Sequence, residues 1–159
     1  MQLTVHTDYA LRVLLRLGIE PGKLVTVDEI AAAYGISRAH LVKVVHRLAR
    51  LGYVETLRGR RGGVRLARPA SRIVIGHVVR DTEESLAIVE CFDPGARPCR
   101  IAPACGLRGA LREAQQAFFE VLDGHTLADL LRGRAPSLAR LLDAAPRPGP
   151  GSATMARVR

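Results

Sequence analysis

The residues of this 159-residue chain that could do chemistry are concentrated in one short stretch. Cys91, Cys99 and Cys105 are its three cysteines, and they follow the spacing C-x7-C-x5-C. An odd number of thiols cannot all be paired as disulfides within one chain. Soft thiolates favour zinc, copper(I) and iron–sulfur clusters. The stretch therefore predicts a metal or cluster site.

The spacing favours an iron–sulfur cluster over structural zinc, because it lacks the C-x2-C pair that structural zinc sites usually contain. Three thiolates leave one of the usual four ligand positions open to a non-cysteine side chain, a second subunit or a small molecule. The alternative is three idle thiols, since a free cysteine often behaves as a small hydrophobic residue. Pro94, Gly95, Pro98 and Pro103 weigh against it because they force a loop.

The charge of the chain indicates a phosphate-bearing partner. Its formal net charge is +9, and all but two of the 24 basic residues are arginines. Seven of these lie between Glu55 and Asp81, where there is no acid: Arg58, Arg60, Arg61, Arg65, Arg68, Arg72 and Arg80. Tryptophan is absent and aromatic residues make up 4% of the chain, so it is poorly equipped to stack single-stranded bases. A protein that binds duplex DNA needs no such stacking.

Targeting signals and catalytic motifs are missing from the sequence. No signal-peptide pattern and no run of about eighteen apolar residues occurs, so we expect a soluble, cytoplasmic protein without membrane contact. Reduced cysteines suit that compartment. We find no nucleophile elbow, P-loop, paired catalytic carboxylates or zinc-protease motif. The sequence therefore predicts that the protein is not an enzyme.

Two helices are predicted before residue 36. Thr7 can cap the first, which extends to about Leu17 and ends before Pro21-Gly22. The second begins at Thr26 with a capping-box pattern that includes Glu29, and Gly35 ends it. A third helix after this short turn would complete a helix-turn-helix.

The third helix and the hairpin after it predict a winged helix-turn-helix. Ser37 can cap a helix from about Arg38 to Leu51, with apolar and basic residues on different faces. Tyr53 to Leu57 and Val64 to Leu66 read as strands joined by the turn Arg58-Gly59-Arg60-Arg61-Gly62-Gly63. Such a helix can enter a major groove while wing arginines reach a narrow minor groove. A solvated charged hairpin is the alternative for the wing alone.

The expected DNA contacts come from the start of the third helix and from the wing. They are Ser37, Arg38, His40, Lys43, Arg58, Arg60 and Arg61.

A long amphipathic helix is predicted beyond the cysteines. A short helix over Ile75 to about Thr82 leads into the cysteine loop, and an apolar stripe from Leu107 to Leu122 then follows helical spacing as far as Gly124. This helix could fold back on its own domain. A seam between two subunits fits better, because twofold dimers match palindromic operators.

Four parts of the chain together resemble a known family. They are the opening MQLTVHTDYALRVL, the helix segment ISRAHLVKVVHRLARLGYVET, the wing RGRRGGVRLARPA and the triple-cysteine loop. The combination resembles the winged-helix iron–sulfur regulators that include IscR and the nitric-oxide-sensing NsrR repressors, over residues 1 to about 135. The resemblance implies a homodimer with one cluster per subunit, 4Fe-4S rather than 2Fe-2S. It implies a repressor that binds palindromic operator DNA and is released when nitric oxide damages the cluster.

The fourth ligand distinguishes the branches of that family. IscR-like members carry a ligating histidine three residues after the last cysteine, where this chain has Arg108, and a cationic guanidinium cannot ligate iron. NsrR-like members instead take an aspartate from the first helix of the partner subunit, and Asp8 matches that position. The resemblance thus implies Cys91, Cys99, Cys105 and the second copy's Asp8 as ligands. Arg12 would support this joint through Glu83 or Glu84.

The overall prediction is a mainly α protein with a small β-hairpin wing, in which a winged helix-turn-helix precedes a long dimerisation helix. The parts are the winged helix-turn-helix domain (1–80), the linker and cluster-binding loop (81–106), the dimerisation and short C-terminal helices (107–135), and a disordered tail (136–159). The gap between Cys91 and Cys99 is longer than is usual in the family, so the loop should bulge. An IscR-like regulator, a zinc or thiol sensor and an electron-transfer iron–sulfur protein remain alternatives.

Overall fold

The computed structural model describes residues 2–59 and 61–144, within which seven α-helices and one two-stranded antiparallel sheet form. In chain order they are α1 (Val5–Ile19), α2 (Val27–Tyr34), α3 (Arg38–Arg50), β1 (Val54–Leu57), β2 (Gly63–Leu66), α4 (Ile75–Thr82), α5 (Gly106–Asp123), α6 (Leu127–Leu131) and α7 (Ala135–Asp143). The predicted class, mainly α with a small β-hairpin, is confirmed.

The first helix lies at the centre of the fold. Ala10, Val13 and Leu14 of α1 are fully buried, and α1 packs against α3, α4, α6, α7 and β2. It begins one turn earlier than the sequence predicts, because Thr4 and not Thr7 is the cap: the Thr4 hydroxyl accepts a hydrogen bond from the Thr7 amide at 3.2 Å. Thr7 is buried inside the helix instead.

The start of α2 has the predicted capping box. The Thr26 hydroxyl accepts from the Glu29 amide at 3.1 Å, and the Glu29 carboxylate accepts from the Thr26 amide at 2.6 Å. The bond from the Thr26 amide lowers the pKa of Glu29, since it favours the charged carboxylate. The helix ends at Gly35, whose φ of +63° is a left-handed conformation suited to glycine.

The hairpin is attached to the helix-turn-helix by a third backbone segment. Strands β1 and β2 pair from Val54 opposite Leu66 to Leu57 opposite Gly63. Val64 also exchanges two backbone hydrogen bonds, of 3.0 and 2.8 Å, with Val25 just before α2. The wing therefore has a fixed position beside α3.

The long helix α5 is held to the body mainly through its C-terminal end. Arg80 of α4 forms two hydrogen bonds with Asp123, of 2.6 and 2.7 Å, and its guanidinium lies 4.3 Å from the ring centre of Phe119. A side chain on Gly76 would force the Asp123 carboxylate to move. No residue of α5 is buried within the single chain. None of the helices in the described ranges is long and apolar enough to cross a membrane.

The last helix corrects the expectation of a disordered tail from residue 136. Helix α7 forms over Ala135–Asp143 because Pro136 lies in its first turn, where proline favours a helix start, and because Leu138 packs against the core. It contacts α1 and α2. The rest of that expectation, from residue 145 on, lies outside the described residues.

Candidate metal centre and nucleic-acid interface

The basic residues predicted on the third helix lie on its solvent face. Leu41, Val44, Val45 and Leu48 point into the core, which leaves Ser37, Arg38, His40 and Lys43 exposed together at and after the start of α3. Ser37 occupies the N-cap position but its side chain makes no capping hydrogen bond, so the predicted cap is wrong in that respect. An exposed, cationic first turn is the part of a recognition helix that contacts DNA in helix-turn-helix proteins.

Arg38 already has a partner on the neighbouring helix. Its Nε lies 2.7 Å from Oδ1 of Asp28 in the first turn of α2, and both side chains are mostly exposed. Such a pair contributes little stability. It fixes one edge of the guanidinium and leaves the other edge directed to solvent, where a base or phosphate could bind.

The wing presents its arginines beside the same helix. Arg58 and Arg61 are exposed, whereas Arg60 lies outside the described residues. The tight turn needs glycine at two positions, because Gly59 has a φ of +112° and a side chain on Gly62 would collide with the Leu57 carbonyl. A groove of about 550 Å³ separates α3 from the wing. The structure therefore brings the described DNA-contact candidates to one side of the molecule.

The three cysteines line one cavity. Cys91 lies in a single helical turn (Glu90–Phe92), Cys99 in the loop that follows, and Cys105 at the N-cap of α5. Cys91 and Cys105 are half-buried, Cys99 is exposed, and all three thiols are free. The cavity measures about 470 Å³, within the range of about 300–1,000 Å³ typical of small-ligand and cofactor sites.

The donors around this cavity suit an anionic iron–sulfur cluster. Three soft sulfur ligands come from one loop, the N-terminal end of α5 adds partial positive charge, and the cationic residue Arg108 lines the cavity with them. Among residues 2–59 and 61–144, no three His, Cys, Asp or Glu side chains converge closely enough to hold a single metal ion. The thiols thus share a cavity without meeting at one point.

Asp8 lies outside that cavity in its own chain. It is in the first turn of α1, 46% exposed, and both its oxygens contact Arg12 one turn on: Oδ1 at 3.0 Å from Nε and Oδ2 at 2.9 Å from NH2. The hydrogen bond to Asp8 raises the pKa of Arg12. Within this chain Arg12 therefore pairs with Asp8 and not with Glu83 or Glu84. Glu83 instead accepts from the amide and hydroxyl of Thr4, at 2.8 and 3.1 Å.

A set of hydrogen bonds that the sequence reasoning missed converges on the end of α4. The Thr7 hydroxyl donates to Thr82 at 3.0 Å, and both side chains are buried. One residue earlier, the Asp81 carboxylate accepts from the Tyr53 hydroxyl at 2.6 Å, and the Asp81 carbonyl accepts from Arg47 of α3 at 2.9 Å. We call Asp81, Thr82 and Glu83 the α4 junction, because they join the start of α1 to α3 and the wing.

Only one part of the α4 junction is indicated by the sequence. A buried threonine is uncommon in a helix interior unless its hydroxyl has a partner, so Thr7 and Thr82 were recognisable as polar residues at apolar positions. Their pairing across 75 residues depends on tertiary structure, and no local pattern predicts it.

Comparison with known proteins identifies what this arrangement resembles. Residues 3–133 match the family model described as Rrf2, iron-dependent transcriptional regulator. The chain is 55% identical over 143 residues to the HTH-type transcriptional regulator NsrR of Geobacillus kaustophilus, covering 89% of this chain and 97% of that protein. It is 52% identical to NsrR of Bacillus subtilis, covering 84% of this chain and 92% of that protein.

A solved structure extends the likeness to the fold. The structure of CymR (YrzC), the global cysteine regulator of B. subtilis, superimposes with a TM-score of 0.69 at 25% identity, over 84% of this chain and 98% of that one.

Proposed function

The chain belongs to the Rrf2 family of transcriptional regulators, and from this premise we propose that it is a homodimeric repressor controlled by an iron–sulfur cluster and by nitric oxide. It binds palindromic operator DNA while the cluster is intact and leaves the DNA when nitric oxide attacks the cluster. The observation that carries this proposal is the shared cavity of Cys91, Cys99 and Cys105 at the start of α5, in a chain that also presents a winged helix-turn-helix.

Cys91, Cys99 and Cys105 would hold the cluster, which we propose to be 4Fe-4S, and Asp8 of the second copy would provide the fourth ligand. A carboxylate is a hard oxygen donor and a weaker partner for such iron than a thiolate. When bound, the cluster supplies an iron that reacts with small ligands such as nitric oxide. In the single chain the same carboxylate pairs with Arg12, so Asp8 has an alternative partner of opposite charge whenever it is not a ligand.

The proposed dimer is supported by the surface of α5. Leu107 and Val121 are 67% and 63% exposed, although both belong to the apolar stripe of an 18-residue helix. An apolar stripe of this length on a soluble protein is typical of a protein contact. A second copy of α5 would cover it, and ligation by Asp8 requires that this dimer also place the partner's α1 beside the cysteine cavity.

The α4 junction offers a route from Asp8 to the DNA-binding elements. Asp8 is one turn from Thr4 and next to Thr7, whose side chains are hydrogen-bonded to Glu83 and Thr82. The neighbouring Asp81 binds Tyr53 of the wing base and Arg47 of α3. A shift of the start of α1 would therefore be transmitted to α3, which changes the separation of the two half-site helices.

Anaerobic purification with iron and sulfide analysis tests the cluster directly. We expect a brown protein with roughly equal iron and acid-labile sulfide. Cys91→Ala, Cys99→Ala and Cys105→Ala should each give a colourless protein. The matched control is Ile101→Ala, since Ile101 lines the same cavity without a ligating atom and is exposed. Full iron content in a cysteine variant would remove that residue from the ligand set, and colourless wild-type protein containing zinc would contradict the proposal.

A further inference from the structure

One side chain next to the cysteines has a buried polar atom without a partner. Among the residues that the structure describes, Arg108 Nε is the single buried side-chain nitrogen or oxygen that makes no hydrogen bond. Buried guanidinium groups normally have acceptors, because an unpaired buried donor loses its hydration without compensation. The partly buried Arg80 and the buried Arg16 both follow that rule, with carboxylate partners. An acceptor for Arg108 is therefore expected in the complete site.

The surroundings of Arg108 identify the kind of acceptor. It lines the cavity together with Cys91, Cys99 and Cys105, and Glu90, the acid in that lining, does not accept from its Nε. Arg108 is also the third residue of α5, and no acidic residue occupies that first turn. A cation at a helix N-terminus is electrostatically unfavourable, because the end of the helix is itself positive. Two positive groups facing one cavity point to an anion.

We propose that Arg108 is a positioning residue that donates its Nε–H to a sulfur of the cluster, either a bridging sulfide or a cysteine thiolate. The inference rests on the proposed function, since it needs the cluster in this cavity. Thiolate and carboxylate ligands give a bound cluster net negative charge, and Arg108 with the start of α5 offsets part of it. Arg108 would thus interact with the cluster without ligating its iron.

The hydrogen bond should be visible in the properties of the bound cluster. Reduction adds negative charge to the sulfurs, so a donor and a positive charge beside them favour the reduced state and raise the midpoint potential. An N–H···S bond also makes the iron–sulfur stretching frequencies sensitive to exchange of hydrogen for deuterium. Both properties are measurable without DNA or nitric oxide.

The test compares three full-length variants purified without oxygen. Arg108→Met removes donor and charge at similar length, and Arg108→Lys keeps the charge without the Nε–H. Arg100→Met is the matched control, because Arg100 lies between Cys99 and Cys105 but is exposed and does not line the cavity. Resonance Raman spectra are recorded in H2O and D2O, and the midpoint potential is measured by anaerobic titration.

We expect Arg108→Met to disfavour reduction at least about tenfold, a shift of about 59 mV for a one-electron couple, and to lose the deuterium sensitivity of the wild type. Arg108→Lys should lose the deuterium sensitivity with a smaller potential shift, and Arg100→Met should change neither property. Loss of iron from Arg108→Met alone, with full iron in Arg100→Met, would also support the role.

Two failures can be told apart. A wild-type protein that holds zinc or no metal overturns the proposed function and this inference with it. A wild-type protein that holds the cluster overturns the inference alone if Arg108→Met and Arg100→Met behave alike, or if the deuterium sensitivity survives in both Arg108 variants.

Discussion

The hydrogen bond between Tyr53 and Asp81 is the part of the α4 junction that can be removed with least disturbance. Tyr53 is 3% exposed, its ring lies 4.5 Å from the Arg68 guanidinium, and its hydroxyl donates to Asp81 at 2.6 Å. Tyr53→Phe keeps the ring and deletes only the donor. A hydrogen bond to a charged group contributes about 1.5–3 kcal/mol, but the exposed Asp81 can recover water, so we expect a loss of about 1–1.5 kcal/mol.

That loss should lower the midpoint of thermal unfolding by about 3–5 °C for a chain of this length. The measurement is circular dichroism at one fixed protein concentration, because the unfolding temperature of a dimer depends on concentration. Tyr34→Phe is the matched control: Tyr34 is half-buried, makes no hydrogen bond through its hydroxyl among the described residues, and should change stability by less than about 0.5 kcal/mol. Equal effects of the two substitutions would refute the role of the Tyr53 bond.

The same variant has a predicted dependence on pH. Burial, reinforced by the hydrogen bond to Asp81, raises the pKa of Tyr53 above its ordinary value of 10.0. As pH rises through 10, tyrosine ionises in the unfolded chain first, which draws the wild type towards unfolding, whereas Tyr53→Phe has no such group. The stability difference between the two proteins should therefore be constant below pH 10 and shrink above it. A difference that widens there would contradict the assignment.

Further predictions concern the DNA, ligand, dimer and capping residues. Arg58→Gln and Arg61→Gln should each flatten the dependence of log affinity on log salt by about one unit, and an unchanged slope would place the wing outside the groove. Asp8→Ala should keep part of the cluster but alter its absorbance spectrum and its nitric oxide response; a wild-type spectrum and response would exclude Asp8 as a ligand. Val121→Glu should yield monomers in sedimentation velocity, whereas an intact dimer would move the interface away from α5. Because the pKa of Glu29 is lowered, its carboxylate stabilises the fold at pH values above its ordinary pKa of 4.5, and this stabilisation is lost as the pH falls below that value. The unfolding temperatures of wild type and Glu29→Gln should therefore converge in acid. A difference in unfolding temperature that does not change with pH would contradict this.

The elements that the sequence predicted well are those whose signals are local. The capping box at Thr26, the left-handed turn at Gly35 and the glycine-rich hairpin each depend on residues within a few positions of one another. The apolar face of α3 likewise follows from periodicity alone. These local features are enough to specify a winged helix-turn-helix.

The errors come from choices that distant residues decide. The sequence predicts Thr7 as the cap of α1, but the hydrogen bonds of Thr4 to Glu83 and of Thr7 to Thr82 favour the earlier start at Thr4. Helix α7 is short and depends on the contact of Leu138 with the core. The ion pair of Asp8 with Arg12 is a different case, because it follows ordinary i, i+4 spacing and is predictable from local sequence.

The enclosure of Arg108 Nε could not be predicted from the chain either. Its place in the sequence excluded a histidine ligand, but only the folded cysteine loop shows that its Nε is enclosed without a partner. Spacing indicates which residue types are available for a cluster. The path of the loop decides which of them meet.

Operator affinity as a function of cluster state is the most direct test of the account. A DNA duplex is first selected from a random-sequence pool with anaerobically purified protein. The binding of the protein to this duplex is then measured by fluorescence anisotropy, before and after nitric oxide is added at defined molar ratios to the cluster. We predict a loss of affinity of about 5–150-fold, the range of ordinary allosteric coupling, and weak binding unaffected by nitric oxide in Cys99→Ala. Equal operator affinity in the intact, nitric oxide-treated and cluster-free proteins would contradict the central claim that the cysteine cavity controls the winged helix.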